Sequence, residues 1–172
     1  MTAIIRPLTS DDATNLLLLV QQLQNESDTL MFNQDASQID SADEADNISF
    51  LQRTTNNVLL GIVDEKYNLL GVVSATALPH KPRSAEVGLA VLSAYQGQKL
   101  GQALLEELIR WAVDYSTVDE LVLTVQCRNE VAKHIYQKYG FIQTSSTYFE
   151  VTDIRGIKVQ AIEMALKIKS ID

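Results

Sequence analysis

A chain of 172 residues, 46% of them hydrophobic, is long enough to bury one hydrophobic core and short for two, so we expect a single domain over residues 1–172. The net charge of −8 disfavours binding to the phosphate backbone of a nucleic acid. One cysteine excludes an internal disulfide framework, and neither a signal peptide nor an apolar run of membrane-spanning length is visible, so we expect a cytoplasmic protein without a membrane partner.

The first third of the chain predicts an edge strand followed by two helices. Ile4–Leu8 contains a proline, which confines a strand to the edge of a sheet. The buried face of the first helix is predicted from apolar residues at helical spacing: Ala13, Leu16, Leu17, Val20 and Leu23. A polar stretch over 25–40 separates it from a second short helix around Ser41–Thr54, anchored by Ile48 and Leu51.

The negative charge is concentrated in this same region. Between Pro7 and Gln52 there is neither lysine nor arginine, and the acidic residues are Asp11, Asp12, Glu26, Asp28, Asp35, Asp40, Asp43, Glu44 and Asp46. An acidic surface attracts cations, which favours a cationic partner. The alternative is a solvated acidic face that keeps the protein soluble.

Three strands are predicted next, arranged as a meander. Val58–Val63 and Leu69–Ala77 flank a short polar connection that suits a hairpin. Pro79 and Pro82 predict a loop, and the third strand is Val87–Leu92, an apolar run typical of a buried strand.

A glycine-containing turn, Gln96–Gly101, connects this third strand to a helix. The apolar face of that helix is predicted to contain Leu100, Leu104, Leu105, Leu108, Trp111 and Ala112. The first N–H groups of a helix have no partner within it and attract anions, so the turn is either a phosphate site or a plain connection. Neither Gly-x-Gly-x-x-Gly nor Gly-Lys-Ser/Thr is present, which excludes those two nucleotide fingerprints.

A second strand and helix follow. Leu121–Val125 is a buried-strand candidate, and Asn129 is placed to cap the next helix. The buried stripe of that helix is predicted to contain Val131, Ile135 and Tyr139. Gly140 suits a left-handed helix end. Two further strands are predicted, Ile142–Val151 and Val159–Lys167, joined around Gly156.

These two stretches together resemble the GCN5-related N-acetyltransferase (GNAT) family. Gln96–Gly101 is similar to the family's Gln/Arg-x-x-Gly-x-Gly/Ala pattern, with Lys99 where glycine is usual. Asn129–Phe141 is similar to Asn-x-x-Ala-x-x-x-Tyr-x-Lys-x-Gly-Phe. The resemblance implies an α/β (α+β) acyl-CoA N-acyltransferase fold, a mixed seven-stranded sheet with about four helices on both faces. In it, the strands Val87–Leu92 and Leu121–Val125 are parallel neighbours that separate at their C-terminal ends.

The resemblance also implies acetyl-CoA as co-substrate and transfer of its acetyl group to a primary amine of a small molecule or peptide. Tyr136 occupies the position of the general acid, although a buried ring with a satisfied hydroxyl is the alternative. Glu86 is the candidate base, with a solvated strand end as the alternative, and Glu26 is a weaker candidate. The residues expected to bind acetyl-CoA are Leu89, Ala90, Val91, Gln96, Gly97, Gln98, Lys99, Leu100, Gly101, Gln102, Asn129 and Tyr136.

Two other classes of function remain open on the sequence. A non-catalytic member of the family would bind acyl-CoA as a sensor or interaction module and would need neither Tyr136 nor Glu86. A purely structural domain would bind no ligand. His80, His134 and Cys127 form no recognisable metal cluster, so we expect no metal. We expect His134 to be exposed and Cys127 to be a packing residue, and an exposed strand leaves a homodimer open.

Overall fold

The computed structural model describes residues 2–30 and 35–168 and places eight strands in one mixed sheet. The strands are β1 (Ala3–Pro7), β2 (Val58–Asp64), β3 (Leu69–Leu78), β4 (Lys81–Val91), β5 (Glu120–Gln126), β6 (Ile142–Gln143), β7 (Phe149–Thr152) and β8 (Lys158–Lys167). The described α-helices are α1 (Ala13–Glu26), α2 (Ser41–Arg53), α3 (Leu100–Tyr115) and α4 (Glu130–Lys138). The strand order is β1-β2-β3-β4-β5-β8-β6, with β7 paired to β8, so β1 is an edge strand as its proline predicts.

Helices cover both faces of the sheet, as the family resemblance implies. On one face, α3 contributes Leu104 and Leu108 and α4 contributes Tyr136 to a buried apolar cluster. On the other face, a second cluster contains Leu16 of α1 and Ile48 of α2. Among the described helices, none combines the length and apolar character needed to cross a membrane.

The strands β4 and β5 are the one parallel pair in the described sheet, and they stay together only briefly. Their register pairs Ser84 with Glu120, Ala85 with Leu121, and Glu86 with Val122. Beyond Glu86 the two strands continue without pairing to each other, β4 to Val91 along β3 and β5 to Gln126 along β8. The predicted parallel neighbours and their separation are thus confirmed, and the separation leaves a wedge-shaped gap in the sheet.

Two strand predictions were wrong in their limits. Pro82 lies inside β4 rather than in a loop, because the register of β4 with β3 jumps between Ala85 and Lys81 and leaves no ladder position for it to occupy. The predicted strand Ile142–Val151 is split into β6 and β7. Between them Ser145 Oγ, rather than a backbone carbonyl, accepts the N–H of Glu163 at 3.1 Å.

The predicted buried stripe of α4 is confirmed for Ile135 and Tyr139, which pack half-buried against the core, but was wrong for Val131. Val131 is 66% exposed, and Tyr136 is instead the buried residue of this helix. Nine residues are too few for periodicity alone to fix which side of a helix packs inward. Both helix ends are as predicted: Asn129 Oδ1 accepts the N–H of Ala132 at 3.2 Å, and Gly140 has φ of +97°.

Most of the other burial predictions are confirmed. In α1, the predicted Ala13, Leu16, Leu17 and Leu23 are buried, but Leu19 is buried and Val20 only partly. Ile48 is fully buried in α2. Trp111 and Cys127 are half-buried against the core, and His134 is exposed.

Candidate active site

The gap between β4 and β5 opens into a cavity of about 240 Å³. Its walls come from β3, β4, β5, α4 and the segment that follows α1. Five residues predicted from the sequence line it: Glu86, Leu89, Ala90, Asn129 and Tyr136. The pairing pattern of β4 and β5 therefore creates the candidate site, because a fully paired sheet would leave no space here.

The cavity passes through the sheet from one face to the other. Neighbouring residues of a strand point to opposite faces. Within β4, Ala90 packs beneath α1 and α2, whereas Val87 packs beneath α3 and α4. Glu86 lies on the same face as Ala90, and Tyr136 reaches the cavity from α4 on the opposite face. A phenol and a carboxylate therefore line one space from its two sides.

Small residues keep the Glu86 side of the cavity open. On this face Glu86 is followed by Gly88 and Ala90, which pair across the sheet with Ser74 and Val72. A Cβ added to Gly88 would lie 3.1 Å from Ser74 Oγ, a tighter contact than side chains normally make. A larger residue at position 88 would narrow the cavity at its centre.

Tyr136 is buried, but its hydroxyl has no hydrogen-bond partner among the described residues. The residue is 6% exposed, and its ring packs on Phe141 with the ring centroids 5.5 Å apart. Because burial disfavours the phenolate, it raises the pKa of Tyr136, so the phenol stays protonated at neutral pH. The cavity thus contains a hydrogen-bond donor that no group in the described part of the chain accepts.

The two predicted candidates for the base have different surroundings. Glu86 is exposed at the cavity, and no described group forms a hydrogen bond or ion pair with its carboxylate. Glu26 instead accepts the backbone N–H of Ser93 at 2.7 Å and so connects the end of α1 to the residue after β4. This contact gives Glu26 a structural role.

The turn that precedes α3 is open to solvent. Gly97 has φ of +85° and Lys99 has φ of +62°, both in the left-handed region. Residues 96–99 are exposed, and a Cβ added to Gly97 would meet nothing within 4 Å. Gln96 Nε2 donates to the carbonyl oxygen of Val91 at 3.1 Å, so this side chain folds back on β4. The first backbone amides of α3 are therefore not covered by side chains.

This turn lies next to the cavity rather than inside it. A Cβ on Gly101 would be 3.8 Å from Ile135 Cδ1 of α4 and 4.0 Å from Leu89 Cδ2 in the cavity wall. The remaining predicted cofactor residues, Val91 and 96–102, do not line the cavity. They lie at the end of β4, in the turn and at the start of α3. An elongated molecule is needed to occupy both regions at once.

The acidic segment between Pro7 and Gln52 contributes little charge to the cavity. Of its described residues, Thr29 and Leu30 line the cavity, and neither is charged. Its acids mainly stabilise the fold; Asp12, for example, binds Arg6 at 2.8 Å, which lowers the pKa of that carboxyl group.

The carboxylates near the cavity come from the sheet instead. Glu86 lines the cavity itself, and Glu120 and Glu163 line an adjoining cavity of about 210 Å³ that shares Thr124 with it. No three His, Cys, Asp or Glu side chains in residues 2–30 and 35–168 form a group that could hold a metal ion.

Sequence reasoning missed several cavity residues: Thr29, Leu30, Ser74, Thr76 and Thr124. Three of these carried a usable signal. Ser74 and Thr76 alternate with apolar residues in β3, and Thr124 is a polar residue in the middle of a buried strand. Thr29 and Leu30 carried none, because their place depends on contacts with residues about 100 positions away.

Comparison with known proteins shows which protein family this chain belongs to. The Acetyltransferase (GNAT) family model matches residues 20–141, which is more than half of the chain, and the chain therefore belongs to this family. The crystal structure of a GNAT-family acetyltransferase from Streptococcus pneumoniae superposes with a TM-score of 0.87 at 25% identity, covering 97% of this chain and 100% of that one. The fold implied by the sequence resemblance is thus confirmed, except that the sheet has eight strands rather than seven, because the predicted strand Ile142–Val151 is split into β6 and β7.

Two curated relatives match shorter parts of the chain. Spermidine N(1)-acetyltransferase of Vibrio cholerae is 24% identical over 82 residues, which cover 48% of this chain and 47% of the relative. L-amino acid N-acetyltransferase AaaT of Escherichia coli is 33% identical over 63 residues, 37% of this chain and 39% of the relative. The chain thus matches less than half the length of either relative.

Proposed function

We propose that this chain is an acetyltransferase that transfers the acetyl group of acetyl-CoA to a primary amine, with Tyr136 as general acid and Glu86 as base. One observation supports this most directly: the cavity between β4 and β5 contains on one side a phenol and on the other a carboxylate, and neither has a hydrogen-bond partner among residues 2–30 and 35–168. The family places acetyl-CoA in this gap.

Acetyl-CoA would occupy the cavity and the adjoining turn together. Its diphosphate would bind the exposed amides at the start of α3, near Gly97 and Gly101, where the helix dipole favours an anion. Its pantetheine arm would pair with the edge of β4 that β5 leaves free. A backbone N–H of Leu89–Val91 would then donate to the thioester carbonyl oxygen.

The reaction removes two protons from the ammonium group and supplies one to the leaving thiolate. An amine near its ordinary pKa of about 10 is protonated at neutral pH and is not a nucleophile. Glu86 accepts that proton, directly or through a water molecule, and the amine nitrogen attacks the thioester carbon. The C–S bond then breaks, and the thiolate takes the proton of the Tyr136 hydroxyl. The second proton, which the nitrogen loses as the amide forms, restores the Tyr136 phenol, and Glu86 releases its proton to solvent. Direct attack needs no covalent enzyme intermediate.

The acceptor is proposed to be cationic. The charge beside the cavity comes from Glu86, Glu120 and Glu163, and one neighbouring cation, Lys81, lies 3.8 Å from Glu120. Both curated relatives are named for amine acceptors, spermidine in one and an L-amino acid in the other. An acceptor with more than one positive charge fits this surface better than an anionic one.

Release of free thiol from acetyl-CoA tests the proposal, with spermidine, L-lysine and L-glutamate as acceptors. We expect turnover with the first two to exceed turnover with L-glutamate. Tyr136→Phe should lower kcat by about 10²–10⁴-fold, the usual contribution of a general acid, while acetyl-CoA still binds. Tyr139→Phe is the matched control, because this tyrosine caps the end of the same helix but its hydroxyl donates to Glu106, outside the cavity.

Three results would contradict the proposal. Binding of acetyl-CoA without thiol release for any of the amines would favour an acyl-CoA sensor. A preference for L-glutamate would contradict the cationic acceptor. A Tyr136→Phe variant with unchanged kcat would remove Tyr136 from the chemistry.

A further inference from the structure

Arg128, in the loop between β5 and α4, contacts three separate parts of the chain. Its Nε donates to Gln126 Oε1 at 2.8 Å. Its Nη2 donates to the carbonyl oxygen of Asp28 at 3.0 Å and to Asp153 Oδ2 at 2.8 Å. Its Nη1 lies 3.5 Å from Asp28 Oδ2. One guanidinium group therefore joins the segment after α1, the end of β5 and the turn between β7 and β8.

The contacts with Asp28 matter because of the residues that follow it. The Asp28 carbonyl oxygen accepts a second hydrogen bond, from Gln126 Nε2 at 3.2 Å. Thr29 and Leu30, the next two residues, line the cavity. The Asp28 carbonyl belongs to the peptide unit that begins Thr29, so any shift at this oxygen moves the cavity wall directly.

Asp153 holds the guanidinium in place from the opposite side. Its side chain is fully buried, and its Oδ1 accepts the backbone N–H groups of Arg155 and Ile157 at 2.9 and 2.8 Å. Its Oδ2 is therefore directed at Arg128. These hydrogen bonds, first that from Ile157, lower the pKa of Asp153, so the carboxylate is ionised at neutral pH. Charge-assisted bonds of this kind are stronger than neutral ones.

Arg155 provides a natural comparison. Its guanidinium lies 3.4 Å from Asp28 Oδ2 and reaches the carboxylate of Asp28 rather than the carbonyl. Its side chain is 49% exposed, so this ion pair is screened by water. Arg155 thus shares the charge contact of Arg128 without its contact to the backbone.

Resting on the proposed function, we propose that Arg128 is a positioning residue for the acceptor amine. By holding the Asp28 carbonyl, it fixes Thr29 and Leu30 as a wall of the cavity. This wall lies on the acceptor side, because its segment continues from α1, which covers the same face of the sheet as Glu86. Arg128 does not line the cavity and takes no part in the chemistry.

Steady-state kinetics of thiol release test this inference, with spermidine and L-lysine as acceptors. We expect Arg128→Ala to raise the KM for the acceptor about tenfold, the effect of losing a charged hydrogen bond, and to change the KM for acetyl-CoA less than about twofold. Arg155→Ala should change either KM less than about twofold. If Arg128→Ala does not fold, Arg128→Lys replaces it, because lysine keeps the charge but lacks the planar guanidinium group. This variant should raise the KM for the acceptor and leave the KM for acetyl-CoA unchanged.

Amide hydrogen exchange over residues 27–30 provides a readout that does not depend on turnover. Exchange there should be faster in Arg128→Ala than in wild-type protein and unchanged in Arg155→Ala. An unchanged acceptor KM, or equal effects of the two variants, would overturn the inference. If wild-type protein releases no thiol, the proposed function fails by itself, and unchanged exchange in Arg128→Ala would then overturn the inference separately.

Discussion

Lys99 adopts a backbone conformation that suits glycine far better than lysine. Its φ of +62° and ψ of +23° lie in the left-handed region, which costs a residue with a Cβ about 1–2 kcal/mol. It is also the N-cap of α3, where the amides proposed to bind the diphosphate begin. The resemblance to the family places glycine at this position, so the chain carries a strained cation where an unstrained neutral residue would fit.

We expect Lys99→Gly to raise the free energy of unfolding by up to about 1 kcal/mol, because the strain it relieves exceeds the added entropy of the unfolded chain. The KM for acetyl-CoA should rise a few-fold, because losing one exposed charge interaction weakens binding by roughly that factor. Urea unfolding and thiol-release kinetics measure the two effects.

Lys99→Gln is the matched variant, since it removes the charge and keeps the Cβ. It should raise the KM for acetyl-CoA to the same extent without stabilising the protein. If Lys99→Gln raises the free energy of unfolding as much as Lys99→Gly does, backbone strain at position 99 is not the cause of the stabilisation. If neither variant changes the KM, Lys99 does not contact the cofactor.

At the scale of secondary-structure elements, the sequence predicts the features that depend on residues close together in the chain. Asn129 and Gly140 mark the ends of α4 because capping and a left-handed stop depend on neighbouring residues. The parallel pairing of β4 and β5 was also predictable, since each strand leads into a helix.

Features set by distant contacts were not predictable. Val131 is exposed because the side of α4 that packs inward is chosen by the sheet below it, not by the nine residues of the helix. The contact between Arg128 and Asp28 could not be predicted either, because Asp28 lies 100 residues earlier in the chain. The sequence therefore identifies Tyr136 and Glu86 as candidate site residues and the turn Gln96–Gly101 as a candidate anion site, but not the part of the cavity wall formed by Thr29 and Leu30.

Asp153 connects the turn after β7 to the loop after β5, and this connection should depend on pH. Its folded pKa lies below the ordinary value of 3.8, so its contribution to stability is fully present above about pH 4 and is lost as the pH falls through the lower folded value. We expect Asp153→Asn to unfold at lower urea than wild-type protein at pH 7. The difference should narrow as the pH falls below about 4 and through the lowered pKa of the folded carboxyl group.

Asp46→Asn is a suitable control, because Asp46 is an exposed residue of α2. Its urea midpoint should follow that of wild-type protein across the same pH range. A difference between Asp153→Asn and wild-type protein that stays constant from pH 7 to pH 3 would show that the charge of Asp153 does not stabilise the fold.

At the scale of the whole molecule, the gap between β4 and β5 divides the sheet into two halves. The edge of β4 beyond Glu86 lacks a neighbour, and the two apolar clusters lie on opposite faces beside this gap. A ligand that pairs with β4 and also binds the start of α3 would connect the two halves. Binding of acetyl-CoA should therefore stabilise the entire fold rather than one loop.

A melting curve measures this stabilisation. Acetyl-CoA at a hundred times its Kd should add about 2.7 kcal/mol, which corresponds to a Tm increase of about 5–10 °C for a chain of this size. Gly101→Asp should abolish the increase, because it places a carboxylate beside the diphosphate. The same variant should melt at or above the wild-type temperature without ligand, since an acid in the first turn favours the helix dipole by about 0.3–1 kcal/mol.

The structure has room for this change, because a Cβ on Gly101 would meet its nearest neighbours at 3.8 Å. Asn47→Asp makes the same change of charge on α2, away from the turn, and should keep the full ligand-dependent increase. If Gly101→Asp also keeps it, the diphosphate does not bind at the start of α3. If wild-type protein itself shows no increase, acetyl-CoA is not its ligand, and the gap between β4 and β5 needs a different occupant.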